Sequence, residues 1–84
     1  MTVTRLGQLL RQMYREAPKG EATVMIHLFG IIYAEEIRAC GASCLAIVTA
    51  AGISESYQVE VNKGVNLARY VTVNPEVAAT ARIE

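Results

Sequence analysis

The clearest hydrophobic pattern lies near the amino end, where apolar residues recur at the three- and four-residue spacing of one helical face. Polar and basic residues fill the positions between them, and Thr4 offers an N-cap side chain. Pro18 and Gly20 end the pattern, and Gly7 inside it indicates close packing against a neighbour. The pattern predicts an amphipathic helix with this apolar face: Leu6, Leu9, Leu10, Met13, Tyr14 and Ala17.

The next segment, EATVMIHLFGIIYAEEIRACG, is apolar almost all the way round between Val24 and Ile32. This favours a helix that is buried on most sides, with a β-strand as the competing prediction, because a short apolar run does not fix the period. Gly30 is the predicted break. A new helix is predicted after it. Ile37 and Cys40 are expected to point into the core, and the side chains expected in solvent are Glu35, Glu36 and Arg38.

Two turns of one kind follow, Gly41-Ala42-Ser43 and Gly52-Ile53-Ser54. In each turn the glycine can adopt the left-handed conformation that closes a helix, and the serine can cap the next helix. The stretch CLAIVTAA between them has room for about two helical turns. After the second turn, ESYQVEVNKG continues the helical pattern as far as Gly64.

Residues 46–64 contain every part that a helix-turn-helix needs. Ile47 and Val48 are the inward apolar pair of its first helix, and Ile53 plugs the turn. Val61 lies eight residues beyond Ile53, on roughly the same side of the second helix. The second helix is therefore predicted to pack through one side and to present the other.

We predict a mostly α fold, a small bundle of four to five short helices that contains this helix-turn-helix. The alternation of Val71 and Val73 with Tyr70 and Thr72 indicates that a short β segment near the C-terminus could complete it. The predicted domain is residues 1–75. Residues 76–84 are predicted to form a C-terminal tail, either a short helix or flexible.

The stretch IVTAAGISESYQVEVNKG resembles the helix-turn-helix of bacterial and phage repressor-like regulators. These have the pattern L-A-x-x-x-G-(V/I)-S ahead of a recognition helix that ends near (E/N)-(K/R)-G. More loosely, most of the chain is similar to small bacterial helix-turn-helix-like domains of unassigned function. The resemblance implies DNA binding, by a small transcriptional regulator or by the DNA-contacting part of a larger system.

The resemblance also implies which residues meet DNA. Gln58 stands where the pattern has an aliphatic residue, so Tyr57 is an alternative packing residue, and the helix would then be rotated. Arg11 and Arg15 of the first helix could hold the phosphate backbone, although such arginines also suit a merely solvated face. The groove-facing positions and their close neighbours are Ser54, Glu55, Ser56, Val59 and Glu60, then Gln58, Asn62 and Lys63.

Charge favours an alternative to DNA binding. Eight basic and eight acidic residues give zero net charge, so no overall field attracts nucleic acid or an anionic membrane. Glutamates on the predicted groove-facing side would be repelled by phosphates. The alternative is a protein-interaction or dimerisation module that has a helix-turn-helix-like fold and does not bind DNA.

A homodimer suits either alternative. Leu67, Tyr70 and Val71 are the candidate contacts, because RYVTV offers apolar side chains and strand backbone that could pair with a second copy. The competing interpretation is that these residues close the core of their own domain.

Other functions have little support in the sequence. The chain has no aspartate, phosphate loop or nucleophile elbow, so we expect neither an enzyme nor a cofactor. His27, Cys40 and Cys44 fall short of the four ligands of a structural zinc site, so no metal is expected and both thiols are predicted to be buried. Without a signal peptide pattern or a long apolar stretch, a cytoplasmic protein with no membrane association is expected.

Overall fold

The first helix begins at Val3, immediately after its N-cap Thr2, in the computed structural model, which describes residues 1–81. The Thr2 hydroxyl accepts a hydrogen bond from the backbone N–H of Arg5 at 3.1 Å. The predicted cap at Thr4 is wrong, because Thr2 has the extended backbone of a cap and already satisfies a donor of the first turn. The apolar face is confirmed by the buried side chains of Leu6, Leu9, Leu10 and Met13.

Helices dominate the described residues, which confirms the mostly α fold, although they number one more than the four to five expected. Residues 82–84 lie outside the described part, so the division into a domain at 1–75 and a tail at 76–84 stays a prediction. The helices are α1 (Val3–Arg15), α2 (Ala22–Ile32), α3 (Ala34–Cys40), α4 (Cys44–Ala51), a 3-10 turn (Glu55–Tyr57), α5 (Gln58–Leu67) and α6 (Pro75–Ala81).

The long apolar segment is a helix, so the competing strand prediction is wrong. Gly30 was predicted to break this helix, and that prediction is wrong. It lies buried inside α2, and the helix continues to Ile32 because the missing side chain serves a close contact with α5. The end of α2 lies at Tyr33, whose fully buried ring packs 5.3 Å from that of Phe29.

The two glycine turns form as predicted. Gly41 and Gly52 have φ values of 71° and 73°, the left-handed conformation that closes α3 and α4. The Ser43 hydroxyl accepts a hydrogen bond from the Ala46 N–H at 3.0 Å and so caps α4. The eight residues of α4 match the two turns expected between these glycines.

Helix α3 agrees only partly with the predicted inside and outside positions. Ile37 is buried and Glu35 is exposed, as expected, whereas Glu36 is half-buried. Arg38 is exposed but does not merely face solvent, because its guanidinium donates a hydrogen bond to the backbone carbonyl of Val65 at 3.1 Å. This bond links α3 to α5.

One apolar core joins the first five helices. Gly7 brings α1 close to α4, since a Cβ on Gly7 would lie only 2.7 Å from the Cβ of Ala50. The close packing predicted for this glycine is therefore confirmed. The largest fully buried side chains are Tyr33, Phe29, Leu6, Leu9, Leu10, Ile26, Ile47, Val48 and Val61.

The short β segment considered near the C-terminus is absent, because no strand forms among residues 1–81. After α5 the chain turns, with the N–H groups of Tyr70 and Val71 both donating to the Leu67 carbonyl. The alternating residues then run to α6 without regular structure. A strand needs a paired neighbour, and no other extended element among the described residues is there to pair with it.

Candidate nucleic-acid interface

The predicted helix-turn-helix is present as α4, the 3-10 turn and α5. The inward pair, Ile47 and Val48, is fully buried. At the turn, the left-handed Gly52 is followed by Ile53, whose N–H donates to the Val48 carbonyl at 3.3 Å. Ile53 is half-buried against the core, so it plugs the turn as expected while keeping part of its surface in solvent.

The second helix starts with a serine cap. The Ser54 hydroxyl accepts a hydrogen bond from the Ser56 N–H at 3.3 Å, and the two hydroxyl groups lie 2.9 Å apart. Glu55 stands between them at the start of the 3-10 turn, and all three residues are exposed. The predicted cap is confirmed, and one carboxylate stands at the exposed entry of this helix.

Tyr57 takes the packing role that the sequence left open between it and Gln58. Its ring lies 5.5 Å from that of Tyr14 in an edge-on contact, which joins the end of the 3-10 turn to α1. A hydrogen bond with Tyr14, assisted by the charge of that neighbour and by burial, raises the pKa of Tyr57. Gln58 is half-buried.

Helix α5 is seated on α2 through a contact between two glycines. A Cβ on Gly30 would lie 2.9 Å from the Cα of Gly64, so the two helix backbones touch there. Val61 is fully buried and Val65 is 7% exposed on the same side. This contact fixes which side of α5 faces inward and which side remains available.

Glu60 belongs to the inward side of α5. Its Oε1 lies 2.6 Å from His27 Nε2 on α2, and its Oε2 lies 3.5 Å from Lys63 Nζ. The hydrogen bond from His27 lowers the pKa of Glu60 from its ordinary 4.5. Burial acts in the opposite direction, and the charge of Lys63 adds to the lowering. The carboxylate of Glu60, for which a groove-facing position was expected, contacts α2 through His27.

The opposite side of α5 is exposed, and we call its residues Val59, Asn62, Lys63 and Asn66 the outer face. They share one side because they are spaced by three, four and seven residues. Val59 is 53% exposed, and neither asparagine side chain hydrogen-bonds to another described residue. Sequence reasoning missed Asn66, although its position four residues after Asn62 was a usable signal.

The predicted DNA-contacting residues of the second helix fall into three groups. Ser54, Glu55 and Ser56 lie together at its entry. The outer face holds Val59, Asn62 and Lys63, whereas Gln58 is half-buried between these groups. Entry and outer face are both exposed, on either side of the half-buried Gln58.

The two predicted phosphate contacts lie on α1. Arg11 reaches the helix-turn-helix, since its Nη1 lies 3.7 Å from the position of a Cβ on Gly52. Arg15 is exposed one helical turn further along, next to Tyr14, which contacts Tyr57. Arg11 therefore flanks the turn, and α1 carries basic charge alongside the entry of the second helix.

The two cysteines do not form a disulfide with each other. Both are free and half-buried, and Cys40 Sγ donates to the Ile37 carbonyl at 3.2 Å. Burial raises the pKa of the Cys44 thiol, which keeps it protonated and less reactive. Within residues 1–81 no cluster of three or more His, Cys, Asp or Glu side chains could hold a metal ion.

These features define a small all-α domain with a DNA-binding type of fold, built around a helix-turn-helix. The chain belongs to the HTH-like domain family, whose model matches residues 2–74. No curated protein and no solved structure matches the chain. Among the described residues, none of the helices combines the length and the apolar character that crossing a bilayer requires.

Proposed function

We propose that this chain is a DNA-binding protein that inserts α5 into the major groove and acts as a binding module rather than an enzyme. The observation that carries the proposal is the orientation of α5 about its own axis, which decides which of its side chains face the core and which are exposed. Glu60, the single acidic residue of that helix, is bound to His27 on the inward side. The outer face is left with one lysine, two asparagines and a valine.

Electrostatics favour contact between this surface and phosphates. Lys63 is 59% exposed, and its ion pair with Glu60 is of the solvent-exposed kind, which contributes about 0–1 kcal/mol. Lys63 can therefore exchange Glu60 for a phosphate at low cost. Arg11 supplies a second cation beside the turn that precedes the second helix. Zero net charge then limits long-range attraction without preventing local contacts.

The size of the second helix also suits the groove. An α-helix with side chains is about 10–12 Å across, and the major groove of B-DNA is about 12 Å wide. Apart from Lys63, the side chains of the entry and the outer face are small or of medium length, so the helix backbone can approach the base edges. In a helix-turn-helix the flanking elements hold the phosphate backbone, which is the role proposed for Arg11 and Arg15.

Fluorescence anisotropy with a mixed-sequence duplex tests the proposal. Affinity should fall steeply between about 50 and 200 mM salt, because binding releases counterions. Lys63→Ala and Arg11→Ala should each weaken binding on every sequence and reduce the salt slope by about one. Absence of binding at the lower salt with protein near 100 μM, where non-specific binding becomes visible, would refute DNA binding.

A pair of charge variants separates a local contact from an effect of net charge. Glu55→Gln removes a carboxylate at the entry of the second helix, and Glu35→Gln removes one on α3. Both change the net charge of the protein equally. We expect tighter binding from Glu55→Gln and little change from Glu35→Gln. Equal gains from the two variants would mean that α5 does not face the DNA.

A second proposal, compatible with the first, is that the chain forms a homodimer through Leu67, Tyr70 and Val71. These apolar side chains are 41%, 75% and 45% exposed. Leu67 and Tyr70 also border a shallow depression of about 340 Å³ at the end of α5, with Lys63 and Asn66. Without DNA binding, this patch would be the basis of the alternative function, a protein-interaction module.

Light scattering tests the homodimer. Val71→Glu should convert a dimer to a monomer, whereas Val24→Glu places the same charge on a valine of α2 that is equally exposed and should leave the dimer intact. A wild-type protein that remains monomeric at high concentration would refute this proposal. Regulation of transcription, a bacterial source and a cytoplasmic location remain predictions from the sequence.

A further inference from the structure

The outer face of α5 has a composition that suits one kind of base pair. Two exposed amides, Asn62 and Asn66, lie one helical turn apart with Val59 beside them. Neither amide side chain hydrogen-bonds to another described residue. Arginine and lysine are the side chains that most often contact guanine; helix α5 contains no arginine, and its lysine, Lys63, is paired with Glu60.

Resting on the proposed DNA binding, we infer that the outer face selects A·T base pairs through the major groove. Asparagine can donate to adenine N7 while accepting from adenine N6, a bidentate pair that guanine, with two acceptors at this edge, does not match. Valine can contact the C5 methyl group of thymine. Asn62 and Asn66 are assigned to adenines, and Val59 to a thymine methyl group.

The spacing of these side chains agrees with that of stacked base pairs. Asn62 and Asn66 are separated by about 6 Å along the helix axis, which is close to two base-pair steps of about 3.4 Å each. Val59 precedes Asn62 by about 4.5 Å, or somewhat more than one step. The three side chains can thus meet base pairs within a stretch of about four when α5 lies along the groove.

The contact between Glu60 and His27 is what makes this selection feasible. A carboxylate on the outer face would accept a hydrogen bond from cytosine. That contact would favour a different alignment of α5 on the base pairs from the one that the asparagines favour. His27 holds that carboxylate at 2.6 Å, toward α2 and away from the two asparagines. Lys63 then remains as the exposed charged side chain of the outer face, and its contact with any phosphate is independent of sequence.

The test compares three duplexes of about 20 base pairs, two helical turns, at one low salt concentration. The first has a mixed A·T sequence and the second a mixed G·C sequence. The third is the A·T duplex with 7-deazaadenine in place of adenine, which removes the N7 acceptor. We expect the first to bind about 5- to 150-fold more tightly than the second, and the third to lose most of this preference.

Variants assign the effect to residues. Asn62→Ala and Asn66→Ala should each reduce the A·T preference. Replacing thymine by uracil removes the methyl group and should weaken binding of the wild type. The same replacement should weaken binding of Val59→Ala less. Asn74→Ala is the matched control, because it removes an exposed amide outside α5. It should leave the preference unchanged. Thermal melting monitored by circular dichroism checks that each variant is folded.

The outcomes separate this inference from the function on which it rests. If no duplex binds, the proposed DNA binding fails and the inference fails with it. If the A·T and G·C duplexes bind equally, DNA binding stands and the inference is overturned. A preference that persists with 7-deazaadenine, or in both asparagine variants, also overturns it, since groove shape would then be what the protein recognises.

Discussion

The contact between α2 and α5 can be tested by adding one methyl group. In Gly30→Ala the new Cβ would lie 2.6 Å from the carbonyl oxygen of Val61 and 2.9 Å from the Cα of Gly64. Both neighbours are backbone atoms, so no change of side-chain rotamer can relieve the overlap. The two helices must separate or tilt.

The expected loss of stability follows from two opposing effects. Overpacking a well-filled core costs about 1–3 kcal/mol, and a clash with backbone belongs at the upper end of that range. Replacing glycine by alanine inside a helix returns about 1 kcal/mol through helix propensity. The free energy of unfolding should therefore fall by about 2 kcal/mol, which lowers the Tm of a domain this small by roughly 8–16 °C.

Thermal and urea unfolding followed by circular dichroism measure this effect. Thr23→Ala is the matched control, because it changes an exposed position of the same helix and should alter stability by about 0.5 kcal/mol or less. A Gly30→Ala protein that melts at or above the wild-type temperature would contradict the close contact. The rotation of α5, and with it the outer face, would then need to be reassigned.

Three further predictions concern the helix-turn-helix and its ion pair. The lowered pKa of Glu60 stabilises the fold above pH 4.5, and this contribution is lost as pH falls through the folded pKa. Melting curves should therefore show Glu60→Gln less stable than wild type at pH 7, with the difference vanishing in acid; an equal gap at both pH values would contradict the bond to His27. Gly52→Ala should cost about 1–2 kcal/mol by forcing a Cβ into the left-handed region, as measured by urea unfolding. Ile53→Ala should lower the free energy of unfolding by about 2 kcal/mol. This is the lower end of the range for a large aliphatic side chain, because Ile53 is half-buried. Asn62→Ala should lower it by about 0.5 kcal/mol or less.

The sequence predicted the elements whose causes are local. The α1 face follows from helical spacing, and the turns at Gly41 and Gly52 follow from what glycine and serine do to a backbone. The same local reasoning misplaced the α1 cap, because Thr2 and Thr4 have equal chemistry and only the backbone conformation separates them. Period alone also could not distinguish helix from strand across the apolar α2.

The parts that could not be predicted depend on contacts between distant residues. Gly30 looks like a helix breaker until Gly64 is placed against it, and nothing near position 30 indicates that partner. The inward turn of Glu60 depends in the same way on His27, which is 33 residues away in the chain. The contact of Glu60 with His27, and the place of Asn66 beside Asn62 on the outer face, therefore come from the structure and not from the sequence pattern.

The pairing of Tyr14 with Tyr57 gives this protein an intrinsic optical probe. The chain contains no tryptophan, so its four tyrosines dominate near-ultraviolet absorption and emission. The rings of this pair lie 5.5 Å apart, one on α1 and the other at the entry of α5. An alkaline spectrophotometric titration should show one phenol that ionises late, because the hydrogen bond to Tyr14 raises the pKa of Tyr57. Any ligand that moves the second helix relative to α1 should change that late step, so such movement can be followed without attaching a dye.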